Sequence, residues 1–269
     1  MEVEYVTILE MEVHWMSRRI VGWLMLACIL GTLGMLGCGG GGGSSVPSVY
    51  RGTWYGGFTD ADRKLNVIEM EVSDSGAVSG KAREPGTAAT GALITTLSGK
   101  LAIGGGISLT LKHPDGSTQT VSGTASLSAS GAVLTVELVL DPTKPNETIA
   151  IPFDRTRATD IPGPLSGEIQ IQVAPGDVRT MTLQSALGVV GGRMAVTVQT
   201  SEGPVAVETR LGDDAAGANK RIIGWSADGR VMFGTYTAGA DSMDATVDLQ
   251  WKEDDGTLST AQATINLHR

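Results

Sequence analysis

The sequence predicts an all-β protein: two tandem antiparallel up-and-down β-barrel-like units of about eight strands each, after an N-terminal signal helix and a Gly/Ser linker. Three observations carry this. Apolar and polar residues alternate with a period of two, as in Val67-Ile68-Glu69-Met70-Glu71-Val72 and Thr246-Val247-Asp248-Leu249-Gln250-Trp251-Lys252. Turn signals recur every 8–15 residues, among them Pro114-Asp115-Gly116, Asp228-Gly229 and Asp255-Gly256, where glycine supplies the positive φ of tight hairpins. A set of weak matches also repeats in the same order at an offset of 111 to 115 residues.

Residues 1–37 read as an export signal. Arg18-Arg19 precedes an apolar run, Ile20 to Leu36, and Gly37 is a small residue before the cleavage point. Residues 1–15 carry four glutamates and no Lys or Arg, against the basic character of such a leader, so translation is expected to start at Met16. Met35-Leu36-Gly37-Cys38 resembles the bacterial lipoprotein signal. That resemblance implies lipidation of Cys38, a new N-terminus there, attachment to the membrane through the lipid, and a cell-envelope address at the outer membrane. Residues 38–48 follow as a lipidation cysteine and flexible tether, with a reach of roughly 15–20 Å.

Only two cysteines occur, and Cys28 leaves with the leader, so stability must come from packing of the remaining residues, about 220. Processing takes the basic count from 20 to 18 and the acidic count from 29 to 25, a charge of −7. A mildly acidic surface argues against a nucleic-acid partner and against a polybasic membrane patch.

The first unit spans 49–158, with strands expected near 50–58, 64–73, 77–83, 93–101, 105–112, 118–127, 131–140 and 147–153. The second spans 159–269. Gly76-Ala77-Val78-Ser79-Gly80-Lys81 matches Gly188-Val189-Val190-Gly191-Gly192-Arg193. Val121-Ser122-Gly123-Thr124 matches Met232-Phe233-Gly234-Thr235, Thr135-Val136-Glu137-Leu138 matches Thr246-Val247-Asp248-Leu249, and Thr148 to Ile151 matches the segment Ala263 to Leu267. Sixteen strands could also form an outer-membrane pore, but that needs aromatic girdles at both interfaces, and nine aromatics after Cys38 do not supply them.

Gly52-Thr53-Trp54-Tyr55, followed by an alternating strand and Gly76 to Gly80, resembles the start of the calycin barrels, the avidins and lipocalins. The resemblance implies that Trp54 plugs one barrel end and that Arg155 or Arg157 lies over it. Avidins follow this Trp-Tyr with an Asn that bonds biotin. Here Gly56 stands there, and Ile169 replaces the tryptophan in the second unit, so the resemblance implies a barrel without that ligand.

Little catalytic chemistry is legible. His113 precedes a hairpin turn and His268 is next to last, so no two His or Cys lie at metal-ligand spacing. No Gly-x-Ser-x-Gly elbow occurs, and the carboxylate pairs near Asp60, Asp213 and Glu253 read as solvated turns. Aromatics point better to binding. Trp225, Phe233, Tyr236 and Trp251 cluster in the later half of the second unit, with Trp251 facing inward beside Leu249 and Trp225 at a barrel mouth.

The expectation is a lipid-anchored, non-enzymatic binding or scaffold module with no metal or cofactor. Its partner is a protein, small molecule or glycan. The alternative is a calycin-like carrier of a small apolar ligand. A cavity above roughly 300 Å³ lined by apolar residues supports the carrier, and a filled interior rejects it.

Overall fold

The computed structural model describes residues 46–144, 146–213 and 220–269. Cys38, the leader and most of the tether lie outside them. After a single 3₁₀ turn at Ser48–Tyr50 the chain is almost wholly strand. The first eight strands are β1 (Gly52–Thr59), β2 (Leu65–Val72), β3 (Ala77–Glu84), β4 (Leu93–Leu101), β5 (Gly106–Lys112), β6 (Thr118–Leu127), β7 (Val133–Val139) and β8 (Thr148–Thr156). Each pairs antiparallel with the next, and β8 returns to β1 through Trp54–Arg155, Tyr55–Asp154 and Gly56–Phe153. The result is a closed eight-stranded barrel, which leaves no free sheet edge.

Further strands follow: β9 (Ile161–Pro162), β10 (Leu165–Ala174), β11 (Asp177–Ser185), β12 (Gly188–Val189), β13 (Arg193–Thr200), β14 (Gly203–Asp213), β15 (Lys220–Ser226), β16 (Val231–Ala238), β17 (Ser242–Lys252) and β18 (Leu258–His268). β10, β11 and β13 to β18 pair in chain order. β18 also pairs with β10 through Ser166–His268 to Gln172–Gln262, so this series of ladders returns to its start. The two-residue strands β9 and β12 pair with each other, a detail that turn spacing did not suggest. β14 is stitched to β8 at Gly212–Thr156 and Asp213–Arg155.

Strand positions follow the alternation closely, because one face of each strand is buried and a slip of one residue would invert it. The segments matched in the sequence fall at corresponding places in the strand order. They lie on β3 and the approach to β13, on β6 and β16, on β7 and β17, and on β8 and β18. These are the third, sixth, seventh and eighth strands of each series.

The core divides into three. One cluster, with Trp54, Met70, Leu134 and Phe153, fills the first barrel. A second, with Leu183, Ile222, Val247 and Leu267, lies among β10 to β18. The third joins Tyr55, Leu65 and Val67 to Ile223 and Val231. It arises from apolar doublets that break the alternation. Trp54-Tyr55, Val67-Ile68, Ile222-Ile223 and Val231-Met232 each send one side chain into a barrel-type core and the other into the third cluster. Burial of such side chains contributes roughly 1.5–3 kcal/mol each, more than a solvent-exposed ion pair does. The two strand series are therefore not separate beads on a string but are joined by a shared core.

Candidate functional site

A cavity of about 730 Å³ lies among β10 to β18. Ile169, Leu183, Val196 and Val207 line it from β10, β11, β13 and β14. Ile222, Met232, Leu249 and Ile265 line it from β15 to β18. All eight strands thus point an apolar side chain inward, as alternation requires. Ile169 follows Gly167 as Trp54 follows Gly52, so a cavity-lining isoleucine stands where the first barrel has a fully buried tryptophan. Met181, Met194 and Met232 also line the space, and flexible thioethers adapt to ligands of differing shape. The buried hydroxyl of Thr209 donates to Met194 O at 2.8 Å, which leaves it satisfied without a ligand.

The cavity extends to the end of these strands formed by the 201–202 and 227–230 turns and by Trp251. Its charged lining residues, Arg179, Glu202, Asp228 and Arg230, all sit at that end, and Arg230 is ion-paired with Asp228. The β10–β11 register shifts between Gln172 and Ala174, a bulge that places Val173 at the same rim. The opposite end is covered by Ile161 and Val189 of the β9–β12 pair, both fully buried.

Of the four aromatics expected at a binding site, Trp225 and Trp251 line the cavity, and Phe233 and Tyr236 do not. Trp251 does line the cavity beside Leu249, and its Nε1 donates to Glu253 Oε1 at 2.8 Å. Trp225 touches the rim, but its ring lies in the junction between the strand series, with the guanidinium carbons of Arg83 at 3.5 Å and Arg210 at 4.7 Å from its centroid. Phe233 faces the junction, packed so closely on Gly57 that a Cβ there would lie 2.8 Å from its ring. Tyr236 is buried away from the cavity, and its hydroxyl donates to Gly212 O at 2.7 Å. Burial pushes that phenol up from 10.0 to about 12, against the opposing pull of Arg157.

Trp54 is fully buried, and its Nε1 donates to Tyr50 O at 2.9 Å. Arg155 lies over it with its guanidinium carbon 4.8 Å from the ring centroid, and it donates to Val49 O. Arg157, the other candidate for that position, instead reaches Tyr236 of β16. His113 lies in its hairpin turn with Nδ1 3.4 Å from the Thr95 hydroxyl. Among the described residues no group of three His, Cys, Asp or Glu is placed to hold a metal ion.

The junction carries functional-looking residues that no sequence motif marked. Glu69 accepts from Arg210 at 3.3 Å and Arg193 at 3.5 Å. Burial lowers the pKa of Arg83, with Glu69 opposing, and its Nη1 makes no hydrogen bond among the described residues. The Trp225 ring face beside it supplies the compensating electrostatic contact. Gln250 grips the first barrel by accepting from Leu65 N at 2.6 Å and donating to Arg63 O at 2.9 Å.

No family model matches this chain, and no curated protein does. Among solved structures it is similar to a DUF3598-family protein of unknown function from Nostoc punctiforme, at 9% identity and a TM-score of 0.28, over 82% of this chain and 97% of that one. It is also similar to a candidate AttH protein from Nitrosomonas europaea, at 10% identity and a TM-score of 0.20, over 87% of this chain and 98% of that one. At such scores neither likeness bears on fold or function, and the β-barrel rests on the strand pairings themselves.

Proposed function

We propose that this chain is a non-enzymatic binding protein of two tandem barrels, and that the second barrel carries a small apolar ligand. The observation that supports this reading is the cavity of about 730 Å³ with an apolar side chain from each of its eight strands. It exceeds the roughly 300 Å³ at which ligand sites begin, and a space so lined is poorly suited to water. Charge stays at the rim, so the interior favours molecules without an ionised group. The calycin-like opening at Gly52-Thr53-Trp54 is consistent with a carrier. In this proposal the body is held at the outer membrane by lipid on Cys38, a reading that rests on the leader sequence alone.

The test is titration with the neutral fluorophore N-phenyl-1-naphthylamine. Saturable enhancement with one site per chain, abolished when Val196→Trp fills the bore, supports the proposal. Equal enhancement by the wild type and the filled variant contradicts it.

A further inference from the structure

The rim of the cavity is not built by the second strand series alone. The connection between β3 and β4, residues 85–92, belongs to the first barrel, yet Ala88 lines the cavity. The connection is clamped there through backbone. Gly86 N donates to Gly229 O at 2.9 Å, and Lys252 N donates to Gly86 O at 2.9 Å. Gly86 thus bridges the two turns that flank the opening, next to Trp251. The fit is close: Gly229 has φ +88°, and a Cβ on it would lie 2.4 Å from Gly86 O. Within the connection, Thr87 N donates to Thr90 Oγ1 at 3.0 Å and Gly91 N to Thr87 O at 2.9 Å. Pro85 and Gly86 are buried, whereas Ala88 and Ala89 are exposed. The segment is pre-ordered and presents one small side chain, Ala88, to the opening.

We propose that this first-barrel segment is part of the second barrel's binding site: the ligand is an uncharged, elongated apolar molecule whose outer end meets Ala88, and the segment sets the length that fits. The proposal rests on the apolar-carrier reading above. It explains in ligand terms why the two barrels are locked together at this end. A ligand touching both stabilises their docking by its own binding free energy. Alanine at 88 leaves the passage open, and a bulky side chain there shortens it. Ala89, one residue on and also exposed, is not among the lining residues and serves as the control.

The experiment measures displacement of N-phenyl-1-naphthylamine by a series of straight-chain 1-alkanols in the wild type, Ala88→Trp, Ala88→Leu and Ala89→Trp. In the wild type affinity rises roughly fourfold per methylene until the chain reaches the rim, then levels. Ala88→Trp moves that break to shorter alkanols, Ala88→Leu moves it less, and Ala89→Trp leaves it in place. Because the position is exposed, all four chains are expected to melt alike, and Ala88→Leu answers the question if the tryptophan variant does not fold. The same break in every folded chain overturns the role of the segment while leaving the carrier reading standing. Failure of the wild type to bind the fluorophore or any alkanol defeats the carrier reading, and this inference with it.

Discussion

Asp154, on the last strand of the first barrel and fully buried, accepts the backbone N–H of Arg221 at 2.9 Å while the Arg221 guanidinium caps its other oxygen. One carboxylate thus holds the start of β15, across a shared core, against a strand nearly seventy residues earlier. Arg221→Ala removes the guanidinium while the buried carboxylate keeps the backbone N–H and its other contacts, so unfolding free energy, measured by urea denaturation, is expected to fall by about 1–3 kcal/mol. A loss near zero contradicts a role for this pair in docking.

Gly57 and Phe233 report on the same junction. A Cβ at Gly57 meets the Phe233 ring at 2.8 Å and Asn66 O at 3.0 Å. Gly57→Ala is expected to cost about 1–3 kcal/mol by overpacking. Adding Phe233→Leu should recover part of the loss, because a smaller side chain can yield. Strictly additive costs in the double variant contradict the contact.

Most strand positions were legible because half-buried strands print their pleat on the sequence. Val67 to Val72 and Thr246 to Lys252 lie in β2 and β17 as alternation requires. The junction was not, although a trace of it is present. Tyr55, Val67, Ile223 and Val231 each sit beside an inward-facing apolar residue, and such doublets mark strands covered on both faces. What no local pattern could supply is the partner of each second face, since Tyr55 and Val67 meet Ile223 and Val231 from far along the chain. The same holds for the site. Trp251 was expected inward from its own strand and lines the cavity, whereas Ala88 reaches it only through the Gly86 clamp, a backbone contact without side-chain signature.

Tyr236 makes alkaline stability informative. Its phenol is pushed up to about 12 in the fold, from 10.0. Below pH 10 folded and unfolded chains both keep the proton, so the group has no effect on the pH dependence. Between about pH 10 and 12 the unfolded chain releases it first, and stability falls by an amount of the order of 2 kcal/mol. Denaturation series at rising pH should show this decline in the wild type and a shallower one in Tyr236→Phe. Identical slopes contradict a buried, proton-holding phenol.

Arg155 and Trp54 should separate in magnitude. Trp54→Ala removes a fully buried ring and is expected to cost about 3–5 kcal/mol. Arg155→Ala removes a cation over that ring and a bond to Val49 O, with an expected cost near 1 kcal/mol and a shift in tryptophan emission. Equal costs for the two contradict a plug in which the ring does the filling.

In the proposed function an apolar ligand is held in the cavity among β10 to β18. Crystals soaked with a 1-bromoalkane give the most direct reading, because bromine is located by its anomalous signal. A peak enclosed by Leu183, Met194, Leu249 and Ile265, which all line the cavity, is expected, and it should be lost in Val196→Trp. Anomalous density confined to the outer surface, or unchanged in the filled variant, contradicts it.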